Sequence, residues 1–351
     1  MKRTRFAPSL SGGLHLGSAV TAIRNYDLGE FVLRIDDTDP RHTFAANKIK
    51  ADLDWLGIPP ALTTFSSDLG FDIKRKLLLG LLNSGRAYYL DGGAIALAPP
   101  KNSVISWDDL YLGHIAFTTS DVFDSPVILA RNDSGDKGSY LYHFASVVDD
   151  NILGITHVVR GADHVSNTPK HIAILDALGL DKPIFGHLPL FLTDGKTKIS
   201  KRSGYLSLDD LKSSGVLPDA VHAIAATTNT RGNNVVIDKD RIMTVNRSAI
   251  KKADPRHIAS LIGFTNNRKA IAVIPLLNYD NLNDIKDFVS SVVRWHPVAS
   301  NNGSFKQKRI ALTGLSYGPD YGKLLNAYIK AGVVHKSEAV TGSIISPVVL
   351  Q

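Results

Sequence analysis

Residues 4–39, TRFAPSLSGGLHLGSAVTAIRNYDLGEFVLRIDDTD, decide the fold class. Residues 4–8 read as a short extended segment and Ser11-Gly12-Gly13 as a turn. Ser18 is placed to cap a helix that runs through Ala19, Ile23 and Tyr26. Residues 31–35, FVLRI, have the β-branched, apolar character of a strand buried on both faces. That strand ends in the acidic turn Asp36-Asp37-Thr38-Asp39-Pro40, and polar groups at the carboxyl end of such a strand usually face a ligand crevice. Strand, glycine turn, helix and strand together predict an α/β protein with a Rossmann-type, doubly wound parallel sheet.

Two packing helices follow, one at about 44–56 with Ala45, Ile49, Leu53 and Leu56 on one stripe, the other at about 73–82. From 86 to 140 the chain turns to Gly, Pro and Ser with alternating apolar segments such as Val127-Ile128-Leu129, which predicts a small β-rich insertion. Helix and strand alternate again over 141–190, with strand candidates at 142–148 and 156–160 and a helix at 170–178, so the sheet resumes. Beyond about 205 the pattern is mostly helical, with polar stretches at 229–234 and 303–307. The expected division is residues 1–85 and 141–190 as two halves of one Rossmann domain, 86–140 as the insertion, 191–245 as a lysine-loop region, and 246–351 as an α-helical C-terminal region.

Composition narrows the function. With 351 residues, 44% of them hydrophobic, the chain can build globular cores. No apolar run approaches the roughly 20 residues that cross a bilayer, which argues against a membrane role. The basic start MKRTRF leads straight into the first motif without an apolar presequence, so a cytoplasmic protein is expected. Cysteine is absent and the histidines lack metal-ligand spacing, so neither zinc nor another structural metal is expected. The net charge of +7 is uneven: residues 241–351 hold 15 Lys and Arg against 6 Asp and Glu, a net +9, leaving −2 for residues 1–240. A basic region on a near-neutral body points to a polyanionic partner, nucleic acid ahead of anionic membrane, although a solubilising basic surface would carry the same charge. Glutamate occurs only at Glu30 and Glu338, so nearly all of the 33 acidic residues are Asp.

Two segments carry chemistry. His15 precedes Leu16-Gly17-Ser18 at a helix start, where free N–H groups and the helix dipole favour a phosphate; a satisfied histidine beside a cap would look the same in isolation. Far downstream, Lys198 and Lys201 lie in GKTKISKRSG, residues 195–204, a loop bracketed by glycines. Two ammonium groups on a hinged loop suit a leaving group that must be gripped and then released, although a charge run in a loop is by default solvated. Arg160, at the end of an apolar strand, is either a carboxylate fork or a structural ion pair with Asp149, Asp150 or Asp163, and Tyr142 taken alone reads as core.

Seven segments occur in one order: Arg5-Phe6-Ala7-Pro8-Ser9, His15-Leu16-Gly17, Arg34-Ile35-Asp36-Asp37-Thr38-Asp39, Tyr142-His143-Phe144-Ala145, Val147-Val148-Asp149-Asp150, Val159-Arg160-Gly161-Ala162-Asp163-His164 and Lys198-Ile199-Ser200-Lys201-Arg202. Over most of residues 3–215 the chain thereby resembles class I aminoacyl-tRNA synthetases, specifically a bacterial-type glutamyl-tRNA synthetase of reduced size. The resemblance implies an ATP-dependent ligase that joins glutamate to tRNA(Glu) through an adenylate, with Mg²⁺ on the pyrophosphate. His15, Lys198 and Lys201 would be catalytic, and Pro8, His15, Gly17, Lys198, Ser200 and Lys201 would bind ATP. Arg5, Ser9, Asp36, Tyr142 and Arg160 would form the glutamate pocket. Asp36 departs from the family, which usually has Glu there to meet the substrate's amino group.

The resemblance further implies that the insertion contacts the tRNA acceptor end, that residues 191–245 touch the tRNA stem, and that residues 246–351 are a reduced anticodon-side domain. A monomer is the family default. The enzyme alternatives are a truncated paralogue that glutamylates a modified tRNA base, which lacks an anticodon-side domain, a glutaminyl-specific relative, and a small-molecule nucleotidyltransferase. A non-catalytic tRNA-binding relic is the alternative of a different class.

Overall fold

The computed structural model describes residues 1–8, 12–37, 44–101, 103–132, 139–193, 206–230, 234–294, 309, 313, 315 and 317–334. The chain forms two compact units, Met1–Asp209 with Ile224–Asp238, and Asp210–Ala223 with Lys239–Gln351.

In the first unit the opening residues build the sheet their pattern predicts. Strand β1 (Arg3–Phe6) lies parallel to β2 (Glu30–Ile35), and helix α1 (Leu16–Leu28) makes the crossover. Residues 31–35 are all buried, as the strand's apolar character requires. Helix α2 (Phe44–Leu56) buries Ile49, Leu53 and Leu56 and leads to β3 (Leu62–Phe65), parallel to β2; α3 (Phe71–Asn83) follows.

The insertion is β-rich, as expected. It contains β4 (Ala87–Tyr89), β5 (Ile95–Leu97), β6 (Val104–Asp109), β7 (Gly113–Thr118), the short helix α4 (Thr119–Val122) and β8 (Ile128–Ala130). β4, β5 and β8 make one antiparallel sheet, and β6 and β7 make a hairpin. On β6 exposed and buried residues alternate, so Ile105, Trp107 and Asp109 all face inward.

Helix α5 (Tyr142–Ile152), strand β9 (His157–Gly161), helix α6 (Thr168–Leu178) and strand β10 (Ile184–Leu188) complete the fold. Residues 142–148, expected as a strand, are the first two turns of α5. Aromatic and β-branched residues favour a strand locally, but Phe144, Ala145, Val147 and Val148 share a helical face. That face packs with Ile95, Leu129, Ile172 and Phe185 in one core cluster, and the burial outweighs propensity. The sheet order is β10-β9-β1-β2-β3, with every pair parallel. The chain moves outward from β1 through β2 to β3, then on the other side from β9 to β10, so the order reverses between β1 and β9. A short parallel pair, β11 (Phe191–Leu192) and β12 (Val235–Val236), follows.

Helices α7 (Leu208–Ser213) and α8 (Pro218–Thr227) span the sequence boundaries of the units. The second unit is helical, with α9 (Lys239–Lys252), α10 (Pro255–Leu261), α11 (Arg268–Val273), α12 (Leu282–Arg294) and α13 (Tyr321–Lys330). Ile285, Phe288, Val289 and Val292 line the buried face of α12 at helical spacing and join Ile258, Val273, Leu324 and Tyr328 in the core. Asp254, Asn267 and Asp320 cap α10, α11 and α13 through side-chain oxygens, a task for which Asp is well suited and Glu is not needed. Among the described residues no helix is long and apolar enough to cross a membrane.

Candidate active site

A cavity of about 390 Å³ opens at the carboxyl ends of β1 and β9, where the strand order reverses. Ligand crevices of open α/β sheets form at this place because the loops leaving the two strands diverge to opposite faces. Arg5, Pro8, His15, Gly17, Asp36, Tyr142 and Arg160 all line it. Ser9, Lys198, Ser200 and Lys201 lie outside the described residues. The described chain on either side of 194–205 nevertheless meets the His15 turn. Phe191 lines the cavity, the Leu16 N–H donates to the Leu206 carbonyl at 3.0 Å, and the Leu208 N–H donates to that of Leu14 at 2.9 Å.

The mouth is built by the start of α1. His15, rather than Ser18, is the N-cap: its Nδ1 accepts the Ser18 N–H at 3.2 Å, while the Ser18 hydroxyl accepts the His15 N–H at 2.9 Å. A ring nitrogen that accepts an N–H carries no proton, so hydrogen bonding assigns the imidazole proton to Nε2. A Cβ at position 17 would stand 3.2 Å from His15 Cε1, so glycine is what lets the ring lie against the first turn.

Behind the mouth are three buried guanidinium groups. Arg5 Nε meets both oxygens of Asp150 at 3.2 Å, and its Nη1 donates to the Val159 carbonyl at 3.3 Å. Arg34 donates through Nη1 to Asp150 at 2.5 Å and through Nη2 to the Ser146 hydroxyl at 2.9 Å. Burial opposes the Arg34 charge, but Asp150, Asp149 and Asp36 outweigh it and hold the group above its ordinary value. Asp149 is taken up by Lys74 at 2.6 Å and by the Ser66 hydroxyl.

Arg160 differs. It forms none of the carboxylate pairs that its sequence neighbours offered. Its Nη2 donates to Thr168 Oγ1 at 2.7 Å and its Nε to His187 Nε2 at 3.3 Å, and the Tyr142 side chain is near enough to favour its charge. Both hydrogen-bond partners are neutral, and among the described residues Nη1 is buried without one. Burial, with Arg5 adding repulsion, pulls the guanidinium down to about 10 against the opposing pull of Tyr142 and Asp150. Tyr142 is not core: it is 39% exposed at the first turn of α5, beside the rings of His143, His164 and His171.

Sequence reasoning did not assign Arg34, Ser146 and Asp150 to the site. Arg34 did leave a signal, since an arginine inside an apolar strand needs a buried partner. Asp150 reads from the sequence only as a possible partner of Arg160, because its actual partners lie more than a hundred residues away on two strands.

The chain matches the family model described as "tRNA synthetases class I (E and Q), catalytic domain" over residues 1–94 and 91–254. It is 33% identical over 306 residues to a glutamate–tRNA ligase of Coprothermobacter proteolyticus, covering 73% of this chain and 63% of that protein. To the glutamate–tRNA ligase of Aquifex aeolicus it is 38% identical over 268 residues, covering 62% of this chain and 55% of the relative. The chain thus spans little more than half to two thirds of the length of these relatives. Among solved structures, a glutamate tRNA ligase of Elizabethkingia meningosepticum superposes with a TM-score of 0.72 at 20% identity, covering 97% of this chain and 98% of that one, which is a likeness of fold. Seven ordered motifs, a cavity at the β1/β9 reversal and a family match running from residue 1 to residue 254 agree, and the chain belongs to the class I tRNA synthetase family of glutamyl and glutaminyl enzymes.

Proposed function

We propose that the chain joins L-glutamate to the 3′ end of tRNA(Glu) with ATP, through a glutamyl-adenylate, releasing AMP and pyrophosphate. Arg160 carries this reading. A buried cation whose direct partners are all neutral is costly, and a substrate carboxylate supplies the missing charge in a geometry that matches the guanidinium fork. The neutral amide of glutamine would leave Arg160 uncompensated, which favours glutamate within this family.

In this reading Arg160, Tyr142 and Arg5 take the γ-carboxylate, and Asp36 with Ser9 takes the ammonium group. The α-carboxylate oxygen attacks the α-phosphorus of ATP and the bond to pyrophosphate breaks. His15 Nε2–H donates to an α-phosphate oxygen, and the Pro8 and Gly17 backbone lines the nucleotide's approach. Lys198, Ser200 and Lys201 are assigned to the leaving pyrophosphate; the flanking residues that meet the His15 turn support this. The hydroxyl at the tRNA 3′ end then attacks the acyl carbon and AMP departs.

Among the described residues no group of three or more His, Asp or Glu side chains is placed to hold a metal ion, so no step is drawn through Mg²⁺. The insertion is assigned to the acceptor end, and the basic residues beyond 245 to the tRNA backbone on the anticodon side. Glutamate-dependent exchange of pyrophosphate into ATP, measured with and without tRNA(Glu), tests the proposal. Exchange specific to glutamate is expected in at least one condition, and none in either would refute it.

A further inference from the structure

The groups that hold Arg160 do not end in the Rossmann half of the site. His187 Nε2, 3.3 Å from Arg160 Nε and 3.0 Å from Thr168 Oγ1, belongs to β10, and its other nitrogen, Nδ1, lies 2.5 Å from Asp109 Oδ2. Asp109 is the last residue of β6, in the insertion. Its Oδ1 accepts the N–H groups of His187 at 3.0 Å, Tyr111 at 3.1 Å and Leu112 at 3.2 Å, and Oδ2 also accepts Trp107 Nε1–H at 3.2 Å. Both side chains are fully buried. The contact is tight: the Leu110 N–H donates to the Phe185 carbonyl at 2.8 Å, and a Cβ at Gly186 would stand 3.0 Å from the Tyr111 ring.

The protons in this chain have one consistent arrangement. Arg160 Nε can only donate, so His187 Nε2 must be an unprotonated acceptor. The ring proton then sits on Nδ1, and Asp109 must accept it. Burial alone would push the Asp109 carboxyl up, but the hydrogen bonds it accepts from His187 and the backbone N–H groups win and hold it below its ordinary value. Burial, aided by Arg160 and Arg5, keeps His187 below its ordinary value despite Asp109, so the ring is neutral.

We infer that Asp109 is a positioning residue for amino-acid recognition: by fixing the protonation of His187, a residue of the insertion orients the Arg160 fork. This rests on the reading that Arg160 takes a substrate carboxylate. Every partner of Asp109 is a donor, so an amide there must turn its NH₂ either toward the three backbone N–H groups or toward His187. The first choice buries a donor–donor clash, and the second drives the ring proton to Nε2, against Arg160.

The test is glutamate-dependent pyrophosphate exchange on the full chain. Asp109→Asn and His187→Leu are each expected to raise the KM for glutamate about tenfold, the effect of one unsatisfied buried group, with the KM for ATP and kcat within about twofold. His187→Gln keeps an acceptor for Arg160 and a donor for Asp109, and is expected to keep the glutamate KM within about threefold. An unchanged glutamate KM in Asp109→Asn, or equal rises for glutamate and ATP, would overturn the inference. Should the variants not fold, ¹⁵N NMR of the wild-type His187 ring decides: Nδ1–H with bare Nε2 at neutral pH supports it, and any other state overturns it. Wild-type chain without glutamate-dependent exchange would instead sink the underlying reading of the site.

Discussion

Replacing Arg160 by Met should make the protein more stable and nearly blind to glutamate. The Arg160 charge is buried, 6% exposed, and its lowering to about 10 corresponds to about 3 kcal/mol against the charged state. The sign follows from linkage. The unfolded chain holds this proton to higher pH than the folded one, so the cost is fully present at every pH below about 10 and vanishes only above the ordinary guanidinium value. Against the relief stand the lost hydrogen bonds, about 1 kcal/mol each. Thr168 Oγ1 and His187 Nε2 remain bonded to one another at 3.0 Å, so neither is stranded, and Tyr142 reaches solvent. A methionine of similar length fills the space of the stem. The net gain is about 1 kcal/mol at most, a rise in Tm of about 2–4 °C for a unit of this size. Removing one side of a buried charge contact with substrate should cost 2–5 kcal/mol, a rise in glutamate KM of about 30- to 4,000-fold. Thermal unfolding and pyrophosphate exchange on the same preparation read both. A lowered Tm with an unchanged glutamate KM would mean that Arg160 is a structural cation, and the reasoning would fail.

Other perturbations act on separate parts of the site. Asp150→Asn strips the one carboxylate shared by Arg5 and Arg34, and urea unfolding should show a loss of about 3–5 kcal/mol; a loss below 1 would show that the guanidiniums find other partners. Gly17→Ala places a methyl 3.2 Å from the His15 ring and should slow adenylate formation about tenfold with little change in glutamate KM, because only the phosphate donor moves. His143 is held down to about 4, chiefly by burial and then by Lys170 and Arg160. Its unfolded form binds the proton first, so stability should fall as the pH drops below about 6.5, with that loss complete below about 4. The urea midpoint followed over this range should be flatter in His143→Gln, and an identical profile would exclude the histidine as the source.

The local patterns on β1, α1 and β2 carried the fold class, because apolar runs, glycine turns and caps act over a few residues. Residues 142–148 went astray for the converse reason: the strand-like composition of YHFASVV is local, whereas the burial that makes it a helix comes from Leu129, Ile172 and Phe185. Arg5, Asp36, Tyr142 and Arg160 could be placed in one pocket from motif order, and they line one cavity. Their electrostatics could not be read in this way.

By itself the sequence determined a Rossmann sheet, a β-rich insertion, a helical C-terminal part and the family to which they belong, since periodicity and ordered motifs are one-dimensional signals. Only the tertiary structure decided that Asp150 serves Arg5 and Arg34 while Arg160 is left with neutral partners, and that Asp109 of the insertion reaches His187. Charge compensation in a buried site depends on distances between segments far apart in the chain, and no local pattern encodes those distances.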